Sequence, residues 1–467
     1  MLSTIVIVIA IYFVAMFLIG LYGRRYAGTF SGYLSIDGKA GVLLIIGGCV
    51  GTNIGNGFVV GGAGEGTLSG LAGSAYGLAC ACSGLVIALA LNRFLYRRGY
   101  QSYADFARDR YHSETPGFLF GLFTTASTFG IIAGQLIAGR ALFEALGLNG
   151  TVGLLAIALV VFLYSQLAGL WGAYATSVVQ TAIILCGLIL VTIVLLKNDA
   201  IDTIRSAQAA GTAAPYALNF KGMSLAAFLG IAIPAALGNF TSQNTFMRVH
   251  SAKSERASFI GHILSFVIMI PLAIMPAFIG SYANAVYGVE GDAAFFSVIL
   301  HDLNPIVAAV IIAAVIAAVM STIDGGILSV SSLVIRDLFQ NALKREYSEK
   351  KLKWMTILLN LFTITVAVLL ALGSGSILGV LSKCYTFLSA TCFVPFVGGM
   401  VWKKGSAAGA IAAAIVGAVT VVLGWCGVPF PSWGGFFPCV PGLVAFVIVS
   451  LLRPQKTCAE TGAISKQ

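Results

Sequence analysis

The sequence predicts an all-α polytopic membrane protein, with about thirteen transmembrane helices. Three observations carry that prediction. Only 9% of the 467 residues are charged, against about 25% in a soluble domain, too few to cover a water-facing surface. Hydrophobic residues make up 58%, where soluble chains have roughly 45–50%. Apolar runs near bilayer length recur along the whole chain. The 55 glycines follow no fixed period, which suits helices packed closely in lipid. Together these features exclude an ordinary soluble enzyme, a disordered chain, a disulfide scaffold and a collagen-like repeat.

The first run, Leu2 to Tyr22, is long enough to span. It lacks a basic leader, so it reads as a leading helix and not as a cleaved signal. Further runs follow at about 41–66, 68–92, 115–145, 149–169, 172–196, 223–247, 256–285, 303–334, 353–373, 376–402, 405–427 and 436–452. The net charge of +10 tests this order. With the N-terminus outside, 22 of the 27 Lys and Arg fall on the inner side. They include Arg24, Arg25, Arg97, Arg98, Arg248, Lys253, Arg336, Lys344, Lys403, Lys404, Lys456 and Lys466. A missed or invented helix would invert every later loop, so the asymmetry supports an odd number of spans and a cytoplasmic C-terminus. The odd set of nine cysteines, most of them inside apolar runs (Cys49, Cys80, Cys82, Cys186, Cys384, Cys392), reads as small packing residues.

Two spans are interrupted alike. The second carries Gly47-Gly48-Cys49-Val50-Gly51-Thr52-Asn53-Ile54-Gly55-Asn56-Gly57-Phe58. The seventh carries Gly230 to Thr241, with Pro234, Gly238 and Asn239. Gly and Pro weaken a helix, and unwound backbone at membrane depth is tolerated only where it is buried or lines a cavity. Spans five helices apart run in opposite directions, and paired broken helices in inverted repeats mark a transporter's binding site. The competing reading is that these glycines are helix-packing contacts. The ninth span carries Ala317-Ala318-Val319-Met320-Ser321-Thr322-Ile323-Asp324. Its adjacent hydroxyls and neighbouring carbonyl suit a small alkali cation. Asp324 is the carboxylate placed deep in a span, either functional or a structural hydrogen-bond partner.

The chain resembles the sodium:solute symporter family, which includes the proline, pantothenate and glucose/galactose sodium symporters. The ninth span is similar to that family's eighth core helix. Gln243 to Lys253 resembles its Gln-(four residues)-Arg, Ser-Ala-Lys stretch, and Gly169 to Gln180 its fifth core helix. The resemblance implies a LeuT-type 5+5 inverted-repeat fold within one transmembrane domain. Its parts are a leading helix at 2–22, a first repeat at 41–196, a second at 223–402 and two extra helices at 405–452. It implies a sodium site from Gly51 and Ile54 with Ala318, Ser321 and Thr322, bearing no charged side chain. Sodium is then the coupling ion, with no other cofactor and no transition metal.

Many relatives carry Asp where this chain has Ser177, so Asp324 and Ser177 are candidates for a second ion or proton site. Gly57 and Phe58 stand where sugar-transporting members are polar, which favours an amino acid or small carboxylate over a sugar. Asn53, Asn56, Phe58, Asn239, Thr241 and Gln243 are solute-site candidates, each equally able to pack or cap a helix. Lys383 lies about seven residues into its span, roughly 10 Å along it. It either pairs with a solute carboxylate or snorkels outward.

The leading reading is a sodium-driven symporter, not an enzyme, in a bacterial inner membrane. Its partners are a small solute, sodium and lipid, with no nucleic acid, as a monomer or weak oligomer. The alternative is a proton-coupled permease with Asp324 titrating. A membrane enzyme finds no support, because His112, His250, His262 and His301 do not cluster by spacing. A sensor would need an appended domain, and the run after Arg453 is expected to hold none.

Overall fold

A computed structural model describes residues 2–23, 29–34, 36, 38–430 and 437–455. Arg24, Arg25, Lys456 and Lys466, counted among the inner charges, lie outside the described residues. The leading helix α1 (Leu2–Gly23) is followed by a broken pair, α2 (Val42–Asn53) and α3 (Asn56–Ser69). Next comes α4 (Ala75–Val86), prolonged to Arg98 through one widened turn, and a short helix α5 (Tyr103–Tyr111). Ser102 and Asp105 close a reciprocal cap at its start.

Then come α6 (Thr115–Ala145) and α7 (Gly150–Lys197). The latter is two spans joined at Gly169, whose φ of 55° no bulky residue adopts readily. A second broken pair follows, α8 (Leu225–Phe240) and α9 (Gln243–Ser251), bent by 46° at Thr241-Ser242. After it run α10 (Glu255–Tyr287), α11 (Pro305–Ser331), α12 (Glu349–Leu372), α13 (Ile377–Leu388), α14 (Ala407–Trp425) and α15 (Cys439–Leu452). Pro305 at the first helical position and the Asn304 side chain, which accepts from Ile306 and Val307, start α11.

Among the described residues nine helices are long and apolar enough to cross a membrane, or ten when the bent pair α8–α9 counts as one. The thirteen spans read from the sequence are therefore not reached by length and composition alone. The difference lies in short pieces: Val42–Asn53 is half of a broken helix, and Gly150–Leu163 and Cys439–Leu452 are shorter than the usual span.

Helix α11 sits at the centre, buried along nearly its whole length between α7, α6 and α1. Helix α10 runs against α3 and α4, and α13 against α6. Large side chains such as Leu18, Leu89, Leu159 and Leu358 face outward, an arrangement favourable in a lipid surround and costly in water. Between the two broken pairs runs one direct backbone link. The Ala40 N–H donates to the Ser251 carbonyl at 2.9 Å, and the Lys253 N–H donates to the Ala40 carbonyl at 2.9 Å. The start of α2 is thereby strapped to the end of α9.

Candidate functional site

Helix α2 stops at Asn53. Ile54 takes φ −82° and ψ 63°, and Gly55 is extended before α3 begins. Breaking the ladder here frees backbone carbonyls and N–H groups that need other partners. A side chain on Gly55 would meet the Thr322 hydroxyl at 2.8 Å and the Gln135 carboxamide at 2.9 Å, so only glycine fits. Gln135, from α6, accepts the Asn56 N–H at 2.8 Å and satisfies one of the freed donors.

Helix α11 supplies hydroxyls to the same break. Ser321 Oγ donates to the Gly51 carbonyl at 2.5 Å and lies 3.2 Å from the Ala318 carbonyl. Thr322 Oγ1 lies 3.1 Å from the Thr52 carbonyl and 3.0 Å from the Ala318 carbonyl. The structure thus brings four of the five predicted sodium-site residues together: Gly51, Ala318, Ser321 and Thr322. Ile54 is fully buried at the break, and its neighbour Thr52 supplies the further carbonyl. Five neutral oxygens converge, each with a lone pair for a hard cation. Oxygens held at ~2.4 Å by a cation of calcium's size lie roughly 3.4 Å apart, so three of the four contacts widen by a few tenths of an ångström and the Ser321–Gly51 contact by about 0.9 Å.

A polar cavity of about 40 Å³ opens beside the cluster, lined by Thr52, Asn53, Asn239, Gln243, Arg248 and Thr322 among others. That volume holds a few waters and no organic solute. Of the solute candidates, Asn53, Asn239 and Gln243 reach it. Asn56 and Phe58 are buried in α3 and do not line it, Phe58 facing Gly77 of α4. The Thr241 hydroxyl bonds back to Leu237 of its own helix at 2.9 Å. Lys383 is exposed, while Leu381, Tyr385 and Leu388 form the buried face of α13, so the predicted carboxylate anchor does not reach the cavity. Ser177 packs against Gly51. Asp324, 3% exposed, stands within electrostatic reach of Tyr12 of α1 and of Tyr33. Tyr12 in turn accepts from Gln180 of α7, the helix that carries Ser177, at 3.0 Å.

Both ends of the cavity are closed. On one side, any side chain on Gly57 or Gly61 would collide with Leu381 or Leu378 of α13, so α3 and α13 are in direct contact. On the other, Gln243 Nε2 donates to the Gln101 carbonyl at 2.8 Å and to Ser332 Oγ at 3.2 Å. Beyond this thin layer lies a basin of about 670 Å³ lined by Gln101, Arg336, Gln340 and Lys344 among others. Arg336 closes its floor with ion pairs to Asp105 at 2.9 Å and Asp337 at 2.8 Å.

Sequence reasoning passed over Gln135, Thr124, Thr128 and Ser329, and it placed Asn244 and Arg248 in a family-like stretch without assigning them to the site. Thr124 and Thr128 carried a readable signal, since hydroxyls four apart share a helix face. Arg248 read as a loop charge because it stands in a basic stretch with Lys253 and Arg256.

Paired broken helices, oxygens converging on one break and a closed polar cavity between them define a secondary transporter of the LeuT-type fold. The chain belongs to the sodium:solute symporter family, whose model matches residues 43–417. It is 29% identical to the osmoregulated proline transporter OpuE of Bacillus subtilis, over 72% of this chain and 69% of the relative. It is 26% identical to the sodium/pantothenate symporter of Haemophilus influenzae, over 76% of each. Its fold is similar to that of a sodium-coupled sialic acid symporter solved in a substrate-bound outward-open state, with a TM-score of 0.83 at 19% identity over 97% of this chain and 99% of that one. The protein is thus an integral membrane transporter and not an enzyme, and sodium is the coupling ion its family implies.

Proposed function

We propose that this chain couples the inward sodium gradient to uptake of a small organic solute, an amino acid or carboxylate and not a sugar. The observation that carries it is the cluster of five neutral oxygens joining the break after Asn53 to Ala318, Ser321 and Thr322. A cation there replaces weak hydroxyl–carbonyl bonds with ion–dipole contacts and ties α2 to α11. The five oxygens are neutral, so they hold the ion by dipoles and release it when α2 moves. The solute sits beside it among Asn53, Asn239 and Gln243. Names of relatives support the solute class, since proline and pantothenate both carry a carboxylate. With the N-terminus outside, the Gln101–Gln243–Ser332 layer and the basin beyond it face the cytoplasm.

In the cycle, sodium and solute enter from the outer side, contact between α3 and α13 closes it, and opening of the Gln243 layer releases both inward. The test is uptake of radiolabelled proline and pantothenate into proteoliposomes under an imposed sodium gradient. A sodium-driven overshoot with either is expected. Accumulation driven by a proton gradient without sodium would replace this reading by a proton-coupled one through Asp324.

A further inference from the structure

Arg248 is the last-but-three residue of α9, only 4% exposed, and it lines the polar cavity. Among the described residues no carboxylate lies within ion-pair distance of its guanidinium, and none of its N–H groups has a hydrogen-bond acceptor. A guanidinium is always charged and presents five donors in a planar fork. Buried charges are paired, because leaving one unpaired in a low-dielectric interior is costly. Its neighbours do not supply the missing charge. It stands within electrostatic reach of Cys49 of α2, Tyr174 of α7 and His262 of α10, none of them a carboxylate. The other cavity side chains, Asn53, Asn239, Gln243, Asn244, Ser329 and the threonines, are all neutral.

We propose that Arg248 is the carboxylate anchor of the transported solute, receiving its anionic group in a bidentate pair as the solute passes toward the cytoplasmic side. The inference rests on the proposed transport reading and adds to it the ligand chemistry and the residue that reads it. Two cations near the basin are already matched: Arg336 is paired with Asp105 and Asp337, and Arg108 with Glu114. Lys383, the other cation considered for this role, is exposed on the far face of α13. The neutral oxygens of the sodium cluster approach the same cavity through Thr52 and Thr322, so cation and carboxylate are accommodated side by side. The pair is made on the half-helix strapped to α2 through Ala40 and Ser251, so the anchor moves with the sodium-bearing break.

The experiment uses the purified full-length protein in detergent, monitored by thermal unfolding with sodium present. Probes are proline, pantothenate and acetate, each compared with its uncharged counterpart: prolinamide blocked at nitrogen, pantothenol and acetamide. Chloride is exchanged for gluconate-free sulfate to separate a resident halide from a solute carboxylate. Wild type should be stabilised by at least one carboxylate and not by its uncharged counterpart. A charge-assisted pair contributes about 1.5–3 kcal/mol, so Arg248→Gln should weaken that carboxylate by about 10- to 100-fold, with Arg248→Lys recovering part of the loss. In the absence of solute, Arg248→Gln should melt no lower than wild type, because it removes an unmatched buried charge. Equal carboxylate responses in wild type and Arg248→Gln overturn the proposal. So does a wild type that responds to none of the three carboxylates, or to chloride alone. The sodium-only shift, read in the same runs, reports separately on the transport reading.

Discussion

Replacing Ser321 and Thr322 by Ala tests the sodium cluster directly. Each hydroxyl touches two carbonyls, Ser321 those of Gly51 and Ala318, Thr322 those of Thr52 and Ala318. A polar contact to a charged partner contributes about 1.5–3 kcal/mol, whereas the neutral bonds made without the ion contribute about 0.5–1.5 kcal/mol. The difference, roughly 1–1.5 kcal/mol per hydroxyl, is about a tenfold rise in the sodium concentration for half-maximal uptake. Both hydroxyls share the Ala318 carbonyl, so the double variant should fall short of the product, at about 30- to 100-fold. Initial rates of uptake into proteoliposomes, measured against sodium at fixed membrane potential, read this out. The maximal rate at saturating sodium should change much less, and Thr322→Ser should restore wild-type dependence because it keeps the oxygen. Sodium dependence within twofold of wild type in the double variant would refute the assignment.

Other expectations follow from the same geometry. Gly55→Ala places a methyl within 2.8 Å of the Thr322 hydroxyl and 2.9 Å of Gln135, so it should abolish sodium-dependent stabilisation while leaving the protein in the membrane fraction. Lys383→Met should leave uptake unchanged, since the side chain is exposed; loss of uptake would return Lys383 to the solute path. Arg336→Gln removes the partner of the buried Asp337 and should cost about 3–5 kcal/mol, seen as a lower melting temperature that adding Asp337→Asn partly restores. Burial raises the Asp292 carboxyl above its ordinary value, so the folded state binds that proton more tightly than the unfolded chain. Stability from this group is therefore lost as pH rises through the raised value, and Asp292→Asn should melt no lower than wild type at pH 7, with a flatter acid profile.

Much of the architecture was legible because lipid leaves few ways to fold. Charge scarcity gave the class, and Gly and Asn clustered at mid-span gave the first break, at Ile54-Gly55; the second lies at Thr241-Ser242, the end of the Gly230–Thr241 stretch, with Pro234 and Asn239 inside unbroken α8. Gly169, read as the last residue of a span, is where α7 kinks with positive φ. What was not legible is which way a side chain points. Lys383 sits two residues from Leu381, about 200° around the helix, and so leaves the buried face that Leu381, Tyr385 and Leu388 share. Arg248 failed in the opposite sense. Its basic neighbours suggested a loop, yet α9 continues to Ser251 and carries the guanidinium inside. The exchange of these two cations, one in and one out, is invisible without the helix boundaries.

The strap at Ala40 links these observations into a single moving part. Paired backbone bonds hold the start of α2 to the end of α9, so these halves of the two broken helices are tied together. They carry Gly51 and Thr52 at one place and Gln243 and Arg248 at another. Opposite them stands α11, which supplies Ala318, Ser321 and Thr322 to the first pair and Ser332, just beyond its end, to Gln243. On the proposed reading, a cation between Gly51 and Ser321 also holds Gln243 against Ser332, and that layer stays shut while the ion is bound. Loss of the ion frees both contacts at once. Coupling then needs no long-range signal: the same interface between the tied α2 and α9 and α11 holds the ion and closes the solute's exit.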